Sequence, residues 1–195
     1  MGGYAASAYA SVLDADLAIL LNPISSLRAD ATAFETRFKN PKLADWQGRY
    51  NDGVEGVKAI KSYIVYDSLF ELDAKHAKRY LSASNTMQEV RVFGFGHGLP
   101  THLNRLKLLK PLIVSMLTNQ FENYSIIFYS ELRKRRYNKH YYKFLLSGEN
   151  SHLTSSRSAV IVRHMLLNLS FLYKKDADFF RDVAHVLEET DAPLA

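Results

Sequence analysis

The apolar residues of this chain recur at intervals of three and four along almost its whole length, whereas strict apolar–polar alternation is rare. A spacing of three and four places side chains on one face of a helix, and alternation places them on one face of a strand. The pattern therefore predicts an all-α fold. We expect a single domain over residues 1–195, an irregular bundle of about seven or eight helices, whose residues 1–40 form a helical arm used for partner contact.

Prolines and turn residues set the expected helix boundaries, because proline disfavours helical geometry in the residue before it. Helices are predicted over residues 4–21, 24–38, 42–50, 54–82, 119–146, 157–173 and 176–190, and another starts at Pro100 and is kinked by Pro111. Residues 88–93, QEVRVF, form the one convincing alternation. With no second run to pair with, this segment is interpreted as an extended loop or part of a two-stranded piece.

The composition excludes several classes of protein. The chain has no cysteine, which removes disulfides, thiolate metal sites and a thiol nucleophile. No basic residue precedes Arg28, so a secretory signal is not expected, and no apolar run approaches the roughly 20 residues of a membrane span. We therefore expect a protein that is not integral to the membrane and lies inside the cell, in an organelle or in a virion.

The positive charge is concentrated in the middle of the chain. Residues 96–146 carry nine basic side chains and two acidic ones, and most of the excess lies in FYSELRKRRYNKHYYKF, residues 128–144. Basic side chains neutralise phosphates, and tyrosine rings stack on unpaired bases or lie at a lipid headgroup boundary. This segment predicts an anionic partner, and the alternative is a solvated helix face. The candidate residues are Arg133, Lys134, Arg135, Arg136, Tyr137, Lys139, Tyr141 and Lys143.

A glycine-rich segment, residues 92–106, is the second candidate site. Gly94, Gly96 and Gly98 alternate with Phe95 and His97, and glycines in this pattern allow close backbone approach to an anion or phosphate. The octapeptide GFGHGLPT, residues 94–101, resembles the glycine-rich lid of the histidine-kinase-type ATPases. The chain lacks the other sequence boxes of that ATP site, so we expect a flexible loop between helices and no cofactor.

The remaining polar residues predict neither catalysis nor metal binding. No two of the seven histidines are four residues apart, the spacing that a metal site on a helix needs. The acidic residues between Asp176 and Asp191 are expected to be solvated or to favour a helix N-terminus. No Gly-x-Ser-x-Gly sequence is present.

Three hypotheses about function follow. The leading one is a non-enzymatic structural subunit that packs against other protein subunits and contacts an anionic partner through residues 128–144. That partner is nucleic acid, an acidic protein or an anionic membrane surface. The first alternative is a nucleic-acid-binding protein, such as an RNA-binding coat, nucleocapsid or ribonucleoprotein component. The second alternative is an enzyme with a site near the Gly94–Thr101 loop.

Overall fold

The computed structural model describes residues 2–68, 70–93 and 95–135, with side chains as far as residue 132. Residues 1–122 and 123–195 form two compact units. The helices predicted over 157–173 and 176–190 lie outside the described residues. The single-domain organisation and the partner-contacting arm at 1–40 stay predictions.

Helices and strands alternate along the first unit. The strands are β1 (Leu17–Leu21), β2 (Lys61–Asp67) and β3 (Met87–Val92). The helices are α1 (Gly2–Tyr9), α2 (Lys39–Lys42), α3 (Gly53–Gly56), α4 (Glu71–Ala83), α5 (Leu99–Arg105), α6 (Leu109–Leu117) and α7 (Phe121–Arg135), which continues into the second unit.

The three strands form one parallel sheet in the order β1-β2-β3, so the predicted all-α fold is wrong. Leu17 pairs with Lys61, and Ser62 pairs with Met87. Within the described residues, β1 and β3 each pair on one side only, with β2 between them. The chain is an α/β protein in which segments far apart in sequence lie side by side.

Two segments predicted as helices form strands because their apolar residues are continuous. LAILL in β1 and YIV in β2 carry apolar side chains on both strand faces, as parallel strands covered on both sides do. In β2, Tyr63 and Val65 on one face and Ile64 and Tyr66 on the other are all buried. Asp14 has a φ of 51°, a left-handed conformation that ends the helical turns before β1.

The other predicted boundaries also change. No helix covers residues 24–38, and α2 replaces the helix expected at 42–50. Residues 88–92 belong to β3, a strand of the three-stranded sheet, so the interpretation of residues 88–93 as a loop or two-stranded piece was wrong. The helix expected to bend at Pro111 is two helices, α5 and α6. Pro100 lies in the first turn of α5, and Pro111 lies in the first turn of α6. Backbone N–H groups in the first turn of a helix form no intrahelical hydrogen bond, so proline is tolerated there.

The main core lies between one sheet face and the helices α3 and α4. Leu20 and Ile64 from the strands pack with Val57, Ala77 and Tyr80, and all five are fully buried. Tyr80 extends this core toward α1, since its hydroxyl lies 2.7 Å from Ser7 Oγ and donates to the Ile24 carbonyl at 3.1 Å. The core therefore fixes α1 and α4 against the ends of the strands.

The contact between α1 and α3 depends on glycine at position 56. A Cβ at Gly56 would lie 2.1 Å from the Ser7 carbonyl oxygen and 2.6 Å from that of Ala8. We expect Gly56→Ala to lower the free energy of unfolding by about 1–3 kcal/mol, because backbone atoms must move to admit the methyl group. Urea denaturation measures this. Gly48→Ala is the control, since nothing lies within 4 Å of its Cβ position; an equal effect at both positions would contradict the prediction.

Candidate active site

Polar side chains follow all three strands at the same edge of the sheet. Because the strands are parallel, their carboxyl ends meet there, and in open α/β sheets this edge is where ligands bind. Asn22 follows β1, Asp67 ends β2, and His97 comes five residues after β3. The fold thus places an amide, a carboxylate and an imidazole at one edge.

The loop after β3 is held by side chains from the two other strand ends. One Asp67 carboxylate oxygen accepts the backbone N–H groups of Phe95 and Gly96, each at 2.6 Å. Asn22 Nδ2 donates to the carbonyl oxygens of Gly96 and His97, each at 3.0 Å. Gly96 has a φ of 57°, which explains glycine at this position. The backbone that carries His97 is therefore fixed on two sides.

His97 contacts a carboxylate from the first turn of α4. Its Nδ1 lies 3.0 Å from both carboxylate oxygens of Asp73. The Asp73 side chain is 1% exposed, whereas the His97 side chain is 40% exposed. Since an ionised carboxylate only accepts, Nδ1 donates to it, and in the neutral form of the imidazole Nε2 is the acceptor. Within the described residues nothing bonds to Nε2, and the other ring nitrogen contacts a buried carboxylate.

Arg37 connects this carboxylate to a buried network. Its guanidinium donates to Asp73 at 2.9 Å and to Glu35 at 2.6 Å, and it lies over the rings of Phe38 and Phe70. Burial lowers the pKa of Arg37, but the hydrogen bonds and charges of Glu35 and Asp73 raise it above its ordinary value. Arg37 therefore stays charged and bridges the carboxylates of Glu35 and Asp73.

A second histidine forms a similar set of bonds in the interior. His76 Nδ1 accepts the backbone N–H of Ser25 at 3.1 Å and lies 2.8 Å from Ser25 Oγ. His76 Nε2 lies 2.9 Å from a Glu35 oxygen, so it donates to that carboxylate. The side chains of His76 and Glu35 are fully buried and Ser25 is inaccessible. A serine, a histidine and a carboxylate without access for a substrate form a structural network, not an active site.

Glu35 is ionised within this network. Burial raises its pKa, but hydrogen bonds from His76 and Arg37 outweigh burial and hold the pKa well below its ordinary value. The four donors to its carboxylate are His76 Nε2 and the backbone N–H, Nε and NH2 groups of Arg37. The network fixes the loop before α2 against α4.

The amino end of α1 lies beside the same edge of the sheet. A Cβ at Gly3 would lie 3.1 Å from Pro23 Cα, so α1 begins against the residues that follow β1. Asn22, the neighbour of Pro23, bonds the carbonyl oxygen of His97. The N–H groups at a helix amino end favour negative charge.

The two sequence-predicted sites have different outcomes. Gly96, His97 and Gly98 form a 3₁₀ turn at the strand ends, and His97 contacts Asp73, whereas Gly94 lies outside the described residues. Arg133, Lys134 and Arg135 lie on α7, and only their backbone is described. Arg136, Tyr137, Lys139, Tyr141 and Lys143 lie outside the described residues. The anionic-partner site therefore stays a prediction.

The sequence patterns did not indicate Asp73, Asp67 and Asn22. Histidine spacing and the carboxy-terminal acidic run are local patterns, whereas the partner of His97 lies 24 residues before it. The available signal was the succession of polar residues after each apolar run: Asn22 after LAILL, and Asp67 after YIVY.

The comparisons with known proteins give no assignment. No protein-family model matches the chain, and no curated protein or solved structure matches it. Among the described helices none is long and apolar enough to cross a membrane, and the described residues contain no group of three metal-ligating side chains.

Proposed function

We propose that the chain has hydrolytic activity on esters or related acyl compounds, with His97 as general base and Asp73 as the carboxylate that orients it. The observation that carries this proposal is the contact of His97 Nδ1 with a buried carboxylate while the imidazole is exposed at the carboxyl ends of parallel strands. This is the second of the two alternatives raised by the sequence. The interaction-subunit hypothesis rests on residues 128–144 and stays a prediction.

The geometry supports general base catalysis. Asp73 fixes the tautomer in which Nε2 accepts, and Nε2 takes a proton from an attacking hydroxyl or water. The attacking oxygen bonds to the carbonyl carbon, and the imidazolium returns its proton to the departing alkoxide as the ester C–O bond breaks. Asp73 stabilises the imidazolium without accepting its proton.

No hydroxyl of the described residues bonds to His97 Nε2, so we propose water as the attacking nucleophile, with a protein hydroxyl as the alternative. A fluorophosphonate probe distinguishes them: a mass increase of the protein identifies a hydroxyl nucleophile, whereas ester turnover without labelling identifies water.

Hydrolysis of 4-nitrophenyl acetate and butyrate tests the proposal. We expect the folded chain to turn over these esters faster than free imidazole at the same concentration, because the carboxylate and the fixed loop orient the base. The chain unfolded in urea is the second control, since it keeps every histidine without the geometry. A folded-state rate no higher than that of imidazole would overturn the proposal.

A further inference from the structure

Asn22 combines two unfavourable features. Its φ of 44° is left-handed, a conformation that residues other than glycine rarely adopt, although asparagine tolerates it best. Its side chain is buried, and Oδ1 has no hydrogen-bond partner within the described residues. A buried acceptor without a partner is destabilising. Such strain persists where the surrounding structure requires one particular geometry, and it concentrates at functional sites.

The required geometry is set by the donors of the same amide. Asn22 Nδ2 carries two N–H groups, and they bond the carbonyl oxygens of two successive residues, Gly96 and His97. The peptide units on both sides of His97 Cα are thereby fixed. The direction of its Cα–Cβ bond, and with it the approach of the imidazole to Asp73, depends on these two bonds.

We propose that Asn22 is the positioning residue for His97: its amide fixes the backbone of residues 96–97 so that the imidazole Nδ1 meets the Asp73 carboxylate. The role in catalysis rests on the proposed function, but the positioning is measurable without turnover. The Asp67 carboxylate at the end of β2 accepts the backbone N–H groups of Phe95 and Gly96. Asn22 and Asp67 therefore hold the same loop through its carbonyl groups and its N–H groups, respectively.

The test is the proton NMR signal of His97 Nδ1–H, assigned by its absence in His97→Gln. A proton held by a buried carboxylate exchanges slowly with water and gives a downfield signal. We expect Asn22→Gly, which accepts the left-handed backbone and removes the amide, to lose this signal or to exchange it about tenfold faster or more. We also expect kcat for 4-nitrophenyl acetate to fall about 10- to 100-fold with KM unchanged.

Asn119→Gly is the matched control. Asn119 also has a left-handed φ, 57°, but it is exposed after α6 and its side chain accepts from Lys61. We expect this variant to keep the wild-type signal and kcat. A general loss of stability would also change the circular dichroism spectrum. A lost NMR signal and a reduced kcat with an unchanged spectrum therefore indicate a local effect on His97.

A folded Asn22→Gly with the wild-type His97 signal would overturn the positioning role. Should that variant fail to fold, Asn22→Asp provides the same test, because it keeps the size and the tolerance of a left-handed φ but places an acceptor against the two carbonyls. An unchanged signal in Asn22→Asp would equally overturn the role. If the signal is lost in the Asn22 variants while His97→Gln retains full hydrolysis, the proposed function is wrong and the positioning stands.

Discussion

The His97→Gln variant is expected to hydrolyse 4-nitrophenyl acetate about 10³-fold more slowly than the wild type, because glutamine cannot take the proton of the attacking oxygen. KM should change little, since the imidazole acts on the transition state more than on the bound ester. Steady-state kinetics at neutral pH measures both constants. Circular dichroism and the urea midpoint establish that the variant is folded.

Three further variants sharpen this experiment. Asp73→Asn should give a comparable loss, because it removes the carboxylate that fixes the tautomer of His97. Asp30→Asn is its control, since Asp30 is exposed and pairs with Arg28. His102→Gln is the control for His97, because it removes a histidine on α5 whose ring lies against Phe95. If His97→Gln keeps half of the wild-type rate, His97 is not the base.

Glu35→Gln is expected to lower the free energy of unfolding by about 3–5 kcal/mol at pH 7. The substitution leaves the buried His76 without its carboxylate and Arg37 with one carboxylate instead of two. Breaking one member of a buried, hydrogen-bonded charge network leaves the others desolvated without compensation. Urea denaturation followed by circular dichroism measures the difference.

The same network gives the stability of the chain a defined pH dependence. The pKa of Glu35 is depressed in the folded state relative to its ordinary value of 4.5. Its contribution is therefore present above about pH 4.5 and is lost as the pH falls below that value, toward the folded-state pKa. We expect the wild type to lose stability below pH 4.5 more steeply than Glu35→Gln does.

Glu71→Gln is the matched control for Glu35→Gln. Glu71 is an exposed carboxylate that pairs with Lys75 one turn along α4. Exposed ion pairs of this kind contribute little to the free energy of unfolding. This variant should therefore keep nearly the wild-type stability at pH 7 and the wild-type loss of stability below pH 4.5. Equal destabilisation by the two substitutions would contradict the structural role of the buried network.

The sequence allowed the glycine-rich loop and His97 to be identified as a candidate site but not the sheet that holds them. An apolar run as short as LAILL fits a buried strand and a buried helix equally, and the neighbouring spacing of three and four favoured the helix. QEVRVF alternates visibly, yet most of it belongs to β3, which starts 26 residues after the start of its parallel partner β2. Parallel pairing between distant segments leaves no local signal such as a hairpin turn.

Asp73 could not be identified as the partner of His97 for the same reason. The two residues meet only because α4 starts at the carboxyl end of β2, beside the loop that follows β3. The burial of Glu35 and His76 also depends on tertiary packing, since charged and polar residues are usually exposed. The fold, and not the local sequence, thus determines which of the seven histidines is exposed beside a carboxylate.

The position of β1 at one end of the strand order has a consequence for what can pair with it. Within the described residues β1 pairs with β2 alone, so the backbone N–H and C=O groups on its other side have no strand partner there. Leu17–Leu21 contains no charge and no proline, the residues that usually keep such an edge from recruiting another strand. An edge of this composition suits the addition of one more parallel strand.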